Sequence, residues 1–212
     1  QAFAGRAPHV AGLEFKSNFQ AYVERKLYVH NLGHAVCACH GFLRGCRLIA
    51  EAMENPAVAA TTRAAMESSA QALISRYPDE FNRENQQEHV NDLLRRFRNL
   101  ALGDTVFRVG RDLPRKLAPE DRFVGALKLV VAEGGDDSAI CGGIAAALRF
   151  AAVDEQGRPF GPDVALLERV TREGVAAFMT GYCGLDAERY ATQIGRIERD
   201  YRLLAPRARS SK

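Results

Sequence analysis

The amino-acid sequence predicts an all-α protein consisting of a single domain. Apolar residues recur at helical spacing along almost the whole chain, whereas the alternation typical of strands is nearly absent. The periodic stretches are separated by residues that commonly begin or end helices. The 212 residues, 47% of them hydrophobic, suffice to bury a core, and they show no internal repeat. We therefore expect one helical domain over residues 1–212, with about seven irregularly packed helices.

Three helices are predicted in the N-terminal half of the chain. Their ranges are residues 18–48, 56–77 and 84–100. The long first helix is expected to bend near Gly33 or Gly41. Asn55 and Pro56 predict the start of the second helix, because an asparagine N-cap satisfies free N–H groups and proline presets φ for the first turn.

The helical period is lost over residues 101–118, which we interpret as a long loop. Loops of this length inside a compact domain are often functional. This one is rich in cations, namely Arg108, Arg111, Arg115 and Lys116. Guanidinium groups bind phosphate oxygens in pairs and lysine adds a point charge, so the loop suits a phosphorylated substrate. A solvated basic loop without a ligand is the alternative.

Four more helices are predicted in the C-terminal half. Their ranges are residues 119–134, 138–152, 162–181 and 186–201. The first of these is expected to stop at Gly134, where glycine can take a left-handed conformation. Ser138 and Asp186 are expected to be the N-cap residues of the second and the fourth.

The composition argues against several classes of protein. There are 29 Lys and Arg against 26 Asp and Glu, and a net charge of +3 is too small to indicate a nucleic-acid partner. No stretch approaches the roughly 18 uncharged apolar residues of a membrane span. The five cysteines include no CxxC pair, so neither a disulfide framework nor a two-knuckle zinc module is expected. We expect a cytoplasmic protein without a nucleic-acid or membrane partner.

One polar side of the first predicted helix carries candidate catalytic groups. At 100° per residue, His34 lies about 80° from Lys26 around the helix and Asn31 about 140°. A carbonyl or alcohol bound there would meet a lysine that can exchange a proton, and two groups that can donate to an oxygen gaining negative charge. These are the groups that hydride transfer at a secondary alcohol requires. We expect desolvation to help Lys26 act as a base near neutral pH.

These residues resemble the polyol-specific long-chain dehydrogenases. The pattern Lys-x4-Asn-x2-His, within Glu-Arg-Lys-Leu-Tyr-x2-Asn-x-Gly-His-Ala, is similar to the substrate-domain signature of that family. The likeness continues in four segments downstream: Val109-Gly110-Arg111, Arg115-Lys116-Leu117, Asp121-Arg122 and Gly143-Ile144-Ala145-Ala146-Ala147. The resemblance therefore covers nearly the whole chain.

The resemblance implies the 6-phosphogluconate dehydrogenase C-terminal-domain-like fold, as part of a two-domain, NAD-dependent enzyme. In such an enzyme an N-terminal Rossmann domain holds NAD, and the helical domain supplies Lys26 as general acid/base. Asn31 and His34 would orient and polarise the substrate oxygen, and no metal is implied. The chain contains no G-x-G-x-x-G after a strand, so we expect the Rossmann domain to be absent from it and the chain alone to be inactive.

The resemblance also implies the substrate, a polyol or a sugar phosphate. Mannitol 1-phosphate and fructose 6-phosphate are the expected pair, with Arg108, Arg111, Arg115 and Lys116 binding the phosphate. Free mannitol or a hexuronate is the alternative within the family, because relatives that act on these compounds share the Lys-x4-Asn-x2-His pattern.

Two alternatives lie outside the family. His30 and His34 are four residues apart and Cys37 follows three later, so two imidazoles and a thiolate could share a helix face and bind a metal. The second alternative is a helical interaction domain that performs no chemistry. Its natural partner would be the missing nucleotide domain, packed against the face that bears Lys26.

Overall fold

The computed structural model describes residue 16 and residues 18–204, so the remainder of the predicted domain over residues 1–212 lies outside the described residues. The predicted all-α class is confirmed, because this part of the chain forms helices and only two isolated β-bridges. The helices are α1 (Phe19–Arg25), α2 (Leu32–Leu43), α3 (Ile49–Glu54), α4 (Pro56–Arg76), α5 (Arg83–Phe97), α6 (Val106–Gly110), α7 (Leu113–Lys116), α8 (Val124–Ala132), α9 (Ser138–Ala147), α10 (Gly161–Glu173), α11 (Val175–Gly181) and α12 (Ala191–Leu203). A π-helical segment, Lys26–Asn31, joins α1 to α2, and a 3₁₀ turn, Leu100–Leu102, follows α5. No helix in the described range is long and apolar enough to cross a bilayer.

Helix α2 forms the centre of the domain. Most of its residues are buried, and it packs against α3, α4, α6 and α9. A helix that is apolar on nearly all faces is stable only when it is enclosed in this way. Its two glycines allow close packing: a Cβ atom would lie 2.4 Å from Met66 Sδ at Gly33 and 2.6 Å from Ala52 Cβ at Gly41.

The prediction of a first helix over residues 18–48 is wrong in two respects. Helix α2 ends at Leu43, and Gly45 adopts a left-handed φ of 75° that leads the chain into the extended residue Leu48. The irregular turn lies at Lys26–Asn31, ahead of the two glycines at which we expected a bend.

The prediction of a long loop over residues 101–118 is also wrong, because α6 and α7 lie within it. Thr105 caps α6 through its hydroxyl oxygen. The carboxylate of Asp163 accepts hydrogen bonds from the backbone N–H groups of Asp112 and Leu113, at 3.1 and 2.6 Å, and so holds the start of α7. Helices of five and four residues are too short to show a period, and the group that holds α7 is 50 positions away in sequence.

Local capping chemistry predicts one helix start correctly and another incorrectly. Asn55 caps α4 as predicted, because its Oδ1 accepts hydrogen bonds from the N–H groups of residues 57 and 58 at 3.1 and 3.2 Å. Ser138 is not an N-cap residue but the first residue of α9. Its N–H and hydroxyl both donate to Asp136 Oδ1, at 2.9 and 2.5 Å.

The remaining predicted helices are shorter than expected or divided. The helix predicted over residues 162–181 is two helices, α10 and α11, because Gly174 between them has a φ of 81°. Helices α8 and α9 each begin or end several residues inside the predicted ranges. The prediction that Asp186 is the N-cap residue of the last helix is wrong: α12 begins at Ala191, and Asp186 accepts hydrogen bonds from the N–H groups of residues 188 and 189 in the turn before it. Because predicted helices are divided and α6 and α7 lie within the predicted loop, the described residues form more and shorter helices than predicted.

Candidate active site

Lys26 and Asn31 lie at the two ends of the π-helical segment. Here backbone hydrogen bonds join residues five apart, as between Leu32 N and Leu27 O. Residues five apart therefore lie one above the other, as residues four apart do in an α-helix. Asn31 is thus closer to Lys26 around the axis than the about 140° of a regular helix, and His34 follows in the first turn of α2. The backbone register therefore places the three predicted catalytic residues on the same side of the helix.

Tyr28 fixes the π-helical segment against the turn that precedes α8. Its side chain is buried, and its hydroxyl donates a hydrogen bond to Glu120 O at 3.3 Å. Burial, and next the charges of the neighbouring carboxylates, raise the pKa of Tyr28 to about 12, so the phenol remains a donor at neutral pH. The ring packs against Gly125 in the first turn of α8. These contacts hold the 120–125 segment beside Lys26–Asn31.

Replacing Gly125 by alanine is expected to destabilise the domain by about 1 to 3 kcal/mol. The new Cβ would lie 2.7 Å from Tyr28 Cε1 and 2.8 Å from its hydroxyl oxygen, and a rigid buried ring cannot yield without moving the π-helical segment. Gly142, in α9, is the matched control because a Cβ there meets nothing within 4 Å. Gly142→Ala is expected to stabilise by about 0.5 to 1 kcal/mol, as alanine favours the helix. Urea unfolding measures both changes, and equal effects would contradict the Tyr28 contact.

The surroundings of His34 keep its imidazole neutral. The ring stacks on Phe97, with centroids 4.6 Å apart, and Nε2 lies 3.5 Å from Asp104 Oδ2. Burial lowers the pKa of His34 to about 4, helped by His30 and by cations that include Arg108. A neutral imidazole has one donor and one acceptor nitrogen, so it can orient a substrate oxygen without carrying charge.

Backbone pairing brings Asp104 and Arg108 to His34. Ile49 N donates to Asp104 O at 2.9 Å, next to an isolated bridge between the two segments. Asp104 forms an ion pair with Arg108, one turn along α6. Burial is the largest cause of the low pKa of His34, and the charge of Arg108 adds to it.

Lys116 is a buried cation behind this face. Its side chain is almost inaccessible, and its amine donates a hydrogen bond to Arg111 O. Burial, and next the charges of Arg122 and Arg115, lower the pKa of Lys116 to about 8. Lys116 therefore still carries its charge at neutral pH. The charge is felt at His34, because solvent screens it little.

The other two cations of the predicted phosphate-binding group face elsewhere. The Arg111 guanidinium lies over the rings of Phe107 and Phe160, 5.5 and 5.7 Å from their centroids. Arg115 Nε lies 2.6 Å from Asp112 Oδ2, and its side chain is exposed. The four predicted cations thus form two groups, and Arg108 and Lys116 are the members whose charges act on His34.

Arg122 is a candidate site residue to which the sequence analysis assigned no role. Its side chain is 10% exposed, and its charge lowers the pKa values of His30, His34 and Lys116. Its placement depends on the Tyr28 hydrogen bond to Glu120, which spans 92 positions. The signal available in the sequence was the Asp121-Arg122 segment of the family resemblance.

Comparison with known proteins identifies the family. Residues 18–190 match the family described as the mannitol dehydrogenase C-terminal domain, which is more than half of the chain. The chain belongs to this family. The resemblance found in the motif around Lys26 is therefore confirmed at the level of the family.

Two curated relatives of this mannitol dehydrogenase domain carry the name mannitol-1-phosphate 5-dehydrogenase. The protein from Arthrobacter sp. (strain FB24) is 43% identical over 148 residues, which are 70% of this chain and 38% of the relative. The protein from Bacillus licheniformis is 31% identical over 186 residues, which are 88% of this chain and 47% of the relative. The chain therefore spans less than half the length of these relatives.

A solved structure supports the fold of the mannitol dehydrogenase domain. The chain superimposes on Pseudomonas fluorescens mannitol 2-dehydrogenase, in a ternary complex with NAD and D-mannitol, with a TM-score of 0.69 and 22% identity. The match covers 92% of this chain and 40% of that one. At this identity the comparison supports the fold alone.

The described residues of the mannitol dehydrogenase domain form no Rossmann-type dinucleotide motif. They include no strand, so the strand, glycine turn and helix that bind a pyrophosphate are not among them. Lys26 itself is exposed to solvent.

The ligands of the alternative metal-site hypothesis, His30, His34 and Cys37, are not gathered in one place. His30 and His34 are 6.1 Å apart between ring centroids, but Cys37 is buried with its Sγ 3.9 Å from Ile49 O. Burial raises the pKa of Cys37 to about 12, which opposes formation of a thiolate. No group of three or more His, Cys, Asp and Glu in the described range is placed to hold a metal.

Acidification is expected to destabilise this mannitol dehydrogenase domain through His40. Burial, and next the charge of Arg44, lower the pKa of His40 to about 4. An unfolded histidine titrates near about 6.5, so between these pH values the unfolded state binds more protons. The stability that His40 contributes is complete above about pH 6.5 and is lost as the pH falls toward 4. Between pH 7 and pH 5 the loss is expected to be about 1 to 2 kcal/mol.

Urea unfolding of the full-length protein at pH 7 and pH 5 measures this loss. Because glutamine does not titrate in this range, the His40→Gln variant is expected to lose about 1 to 2 kcal/mol less on acidification than the wild type. The comparison uses the difference between the two pH values, so a constant effect of the substitution cancels. Equal losses in the two proteins would assign the acid sensitivity to other groups.

Proposed function

We propose that this chain is the substrate-binding and catalytic domain of an NAD-dependent polyol-phosphate dehydrogenase that interconverts mannitol 1-phosphate and fructose 6-phosphate. The observation that supports the proposal is the π-helical segment Lys26–Asn31, whose register favours placing Lys26 and Asn31 on one side, followed by His34, on which the charges of Arg108 and Lys116 act. Its substrate is taken from the names of the curated relatives.

Lys26 acts as the general acid/base in this proposal. Its amine takes the proton of the reacting hydroxyl during oxidation and returns a proton to the alkoxide during reduction. The Asn31 amide has no hydrogen-bond partner among the described residues, so its N–H groups are available to the substrate oxygen. Neutral His34 orients the same oxygen. NAD, when bound, supplies or accepts the hydride.

Arg108 and Lys116 bind the phosphate in this proposal. Phosphate oxygens accept charge-assisted hydrogen bonds from guanidinium and ammonium groups. The burial of Lys116 places its charge where solvent screens it little, so it attracts an anion more strongly than a surface lysine does. Arg111 and Arg115 belong to the predicted phosphate-binding group, and their places beside Phe160 and Asp112 favour a lesser role.

A second, nucleotide-binding domain is the proposed partner of the exposed Lys26 face. Phe19 and Val23 precede Lys26 by seven and three residues, which places them on the same helix face, and both are exposed. Leu100 and Leu102 are exposed beside Phe97, on which His34 stacks. Exposed large apolar residues around a polar site are typical of an interface, and the relatives are more than twice as long as the matched segment. The covering domain would desolvate Lys26.

The proposed location is the cytoplasm. All five cysteines are free, and four of them are buried, as expected of a protein from a reducing compartment.

NADH oxidation by the full-length protein tests the proposal, with fructose 6-phosphate and fructose offered separately and without added metal. Turnover with fructose 6-phosphate alone is the expected result. Turnover with fructose alone would retain the roles of Lys26, Asn31 and His34 and remove that of the phosphate. Absence of turnover with both would favour a hexuronate substrate or a domain without catalysis.

A further inference from the structure

Arg122 is held rigidly, with its terminal nitrogens left free. Its Nε lies 2.7 Å from Asp121 Oδ1, and its backbone N–H donates to the same oxygen at 2.6 Å. Among the described residues, neither Nη1 nor Nη2 has a hydrogen-bond partner, and neither is sealed from solvent. A guanidinium fixed at Nε presents its two Nη groups as a preorganised fork, the geometry that suits two oxygens of one phosphate.

Arg122 lies close to the active-site face. The turn that carries it is fixed to the π-helical segment by the Tyr28 hydrogen bond to Glu120 O and by the packing of Tyr28 on Gly125. Its charge acts on His30 and on His34, which project from the π-helical segment and from α2, and on Lys116 in α7. Arg122 is therefore close enough to act on both the catalytic face and the buried lysine.

The other arginines near the site are less suited to this task. Arg108 is more than half exposed, and Asp104 binds one of its terminal nitrogens, so its fork is already engaged. Arg111 stacks on two aromatic rings, and Arg115 is exposed and paired with Asp112. Arg122 combines burial with a free fork.

We propose that Arg122 joins Arg108 and Lys116 in binding the phosphate of the substrate, and that its free fork is what sets the preference for a phosphorylated over a neutral polyol. This inference rests on the proposed function and deepens it. A neutral sugar would leave the two Nη groups without an anion, so it gains nothing from them. A phosphate gains two charge-assisted hydrogen bonds in a site where solvent screens charge weakly.

Steady-state kinetics of the full-length enzyme test the inference, with Arg122→Gln measured against the wild type. KM for fructose 6-phosphate is expected to rise about ten- to a hundred-fold, the effect of losing hydrogen bonds between charged groups. Inhibition by inorganic phosphate is expected to weaken similarly. The kcat/KM for fructose is expected to fall by a clearly smaller factor than that for fructose 6-phosphate, since the fork forms no charge-assisted hydrogen bond with a neutral substrate.

Arg199→Gln is the matched control. Arg199 likewise pairs through Nε with an adjacent aspartate, Asp200, but it is exposed on α12. The control removes the same charge without touching the site, so its KM values and phosphate inhibition are expected to match those of the wild type.

Arg122→Lys is the variant that controls for a folding defect, because it keeps the charge and most of the buried aliphatic part of the side chain. It is expected to keep the melting temperature of the wild type and to raise KM for fructose 6-phosphate about ten-fold, as lysine lacks the fork. If a folded Arg122 variant keeps the wild-type KM for fructose 6-phosphate, the inference about Arg122 is overturned and the proposed function is unaffected. A wild-type enzyme that does not reduce fructose 6-phosphate overturns the proposed function itself.

Discussion

Replacing Lys26 by alanine in the full-length enzyme is expected to lower kcat by about 10²- to 10⁴-fold, the contribution of a positioned general acid/base. Lys26 is at the start of the π-helical segment on an exposed face, so the substitution leaves the core intact. NADH binding, followed by fluorescence titration, is expected to change little because the proposed nucleotide-binding domain lies outside this chain. A large loss in kcat with intact binding therefore points to the chemical step.

Lys128→Ala is the matched control for Lys26→Ala. Lys128 lies on α8 and pairs with the exposed Glu120 at 3.0 Å, a surface ion pair that contributes little. Its kcat is expected to equal that of the wild type. An undiminished kcat in Lys26→Ala would move the acid/base role to Lys116, whose pKa burial lowers to about 8.

The fold could be predicted from the sequence where its determinants are local. Asn55 and Pro56 specify the start of α4 through their own side chains, and the apolar period of α5 requires no distant partner. The prediction failed over residues 101–118, because α7 depends on Asp163, 50 positions away from Leu113. Gly174 could not be identified as a helix boundary, since a glycine within a helical period is compatible with either outcome.

The candidate site residues could be proposed from the sequence, but their geometry could not be predicted. Lys26, Asn31 and His34 were selected from their spacing together with the family resemblance, and their roles stay predictions. The π-helical register that aligns them shifts each backbone hydrogen bond by one residue, which leaves no trace in the pattern of side chains. The division of the loop cations into two groups depends on where α6 and α7 direct them, and a segment interpreted as a loop carries no such information.

The structure places the amines of Lys26 and Lys116 in different surroundings. Lys116 is buried within the chain itself, whereas Lys26 is exposed and can be buried only by a further surface. A permanently buried amine suits a fixed electrostatic role, such as attracting an anion. An amine that becomes desolvated only when a second domain closes over it suits proton transfer, because its environment changes with the catalytic cycle. This difference is the physical reason for assigning acid/base chemistry to Lys26.

Replacing Asn31 by alanine is expected to cost about 2 to 4 kcal/mol of transition-state stabilisation, seen as a loss of kcat with fructose 6-phosphate. The amide lies one π-helical turn from Lys26 and is free to donate to the oxygen that gains negative charge during hydride transfer. Such a donor acts more strongly on the transition state than on the ground state, so KM is expected to change less than kcat.

Asn31→Asp separates hydrogen-bond donation from packing. Aspartate has nearly the same shape as asparagine, but its ionised side chain only accepts hydrogen bonds and places a negative charge beside the developing oxyanion. The variant is expected to lose at least as much kcat as Asn31→Ala while keeping the melting temperature of the wild type. Asn91→Ala, whose parent side chain accepts a hydrogen bond from Arg63 on the surface, is expected to retain full activity. Near-normal kcat in Asn31→Asp would mean that this side chain acts by filling space, and the oxyanion role would then fall to His34.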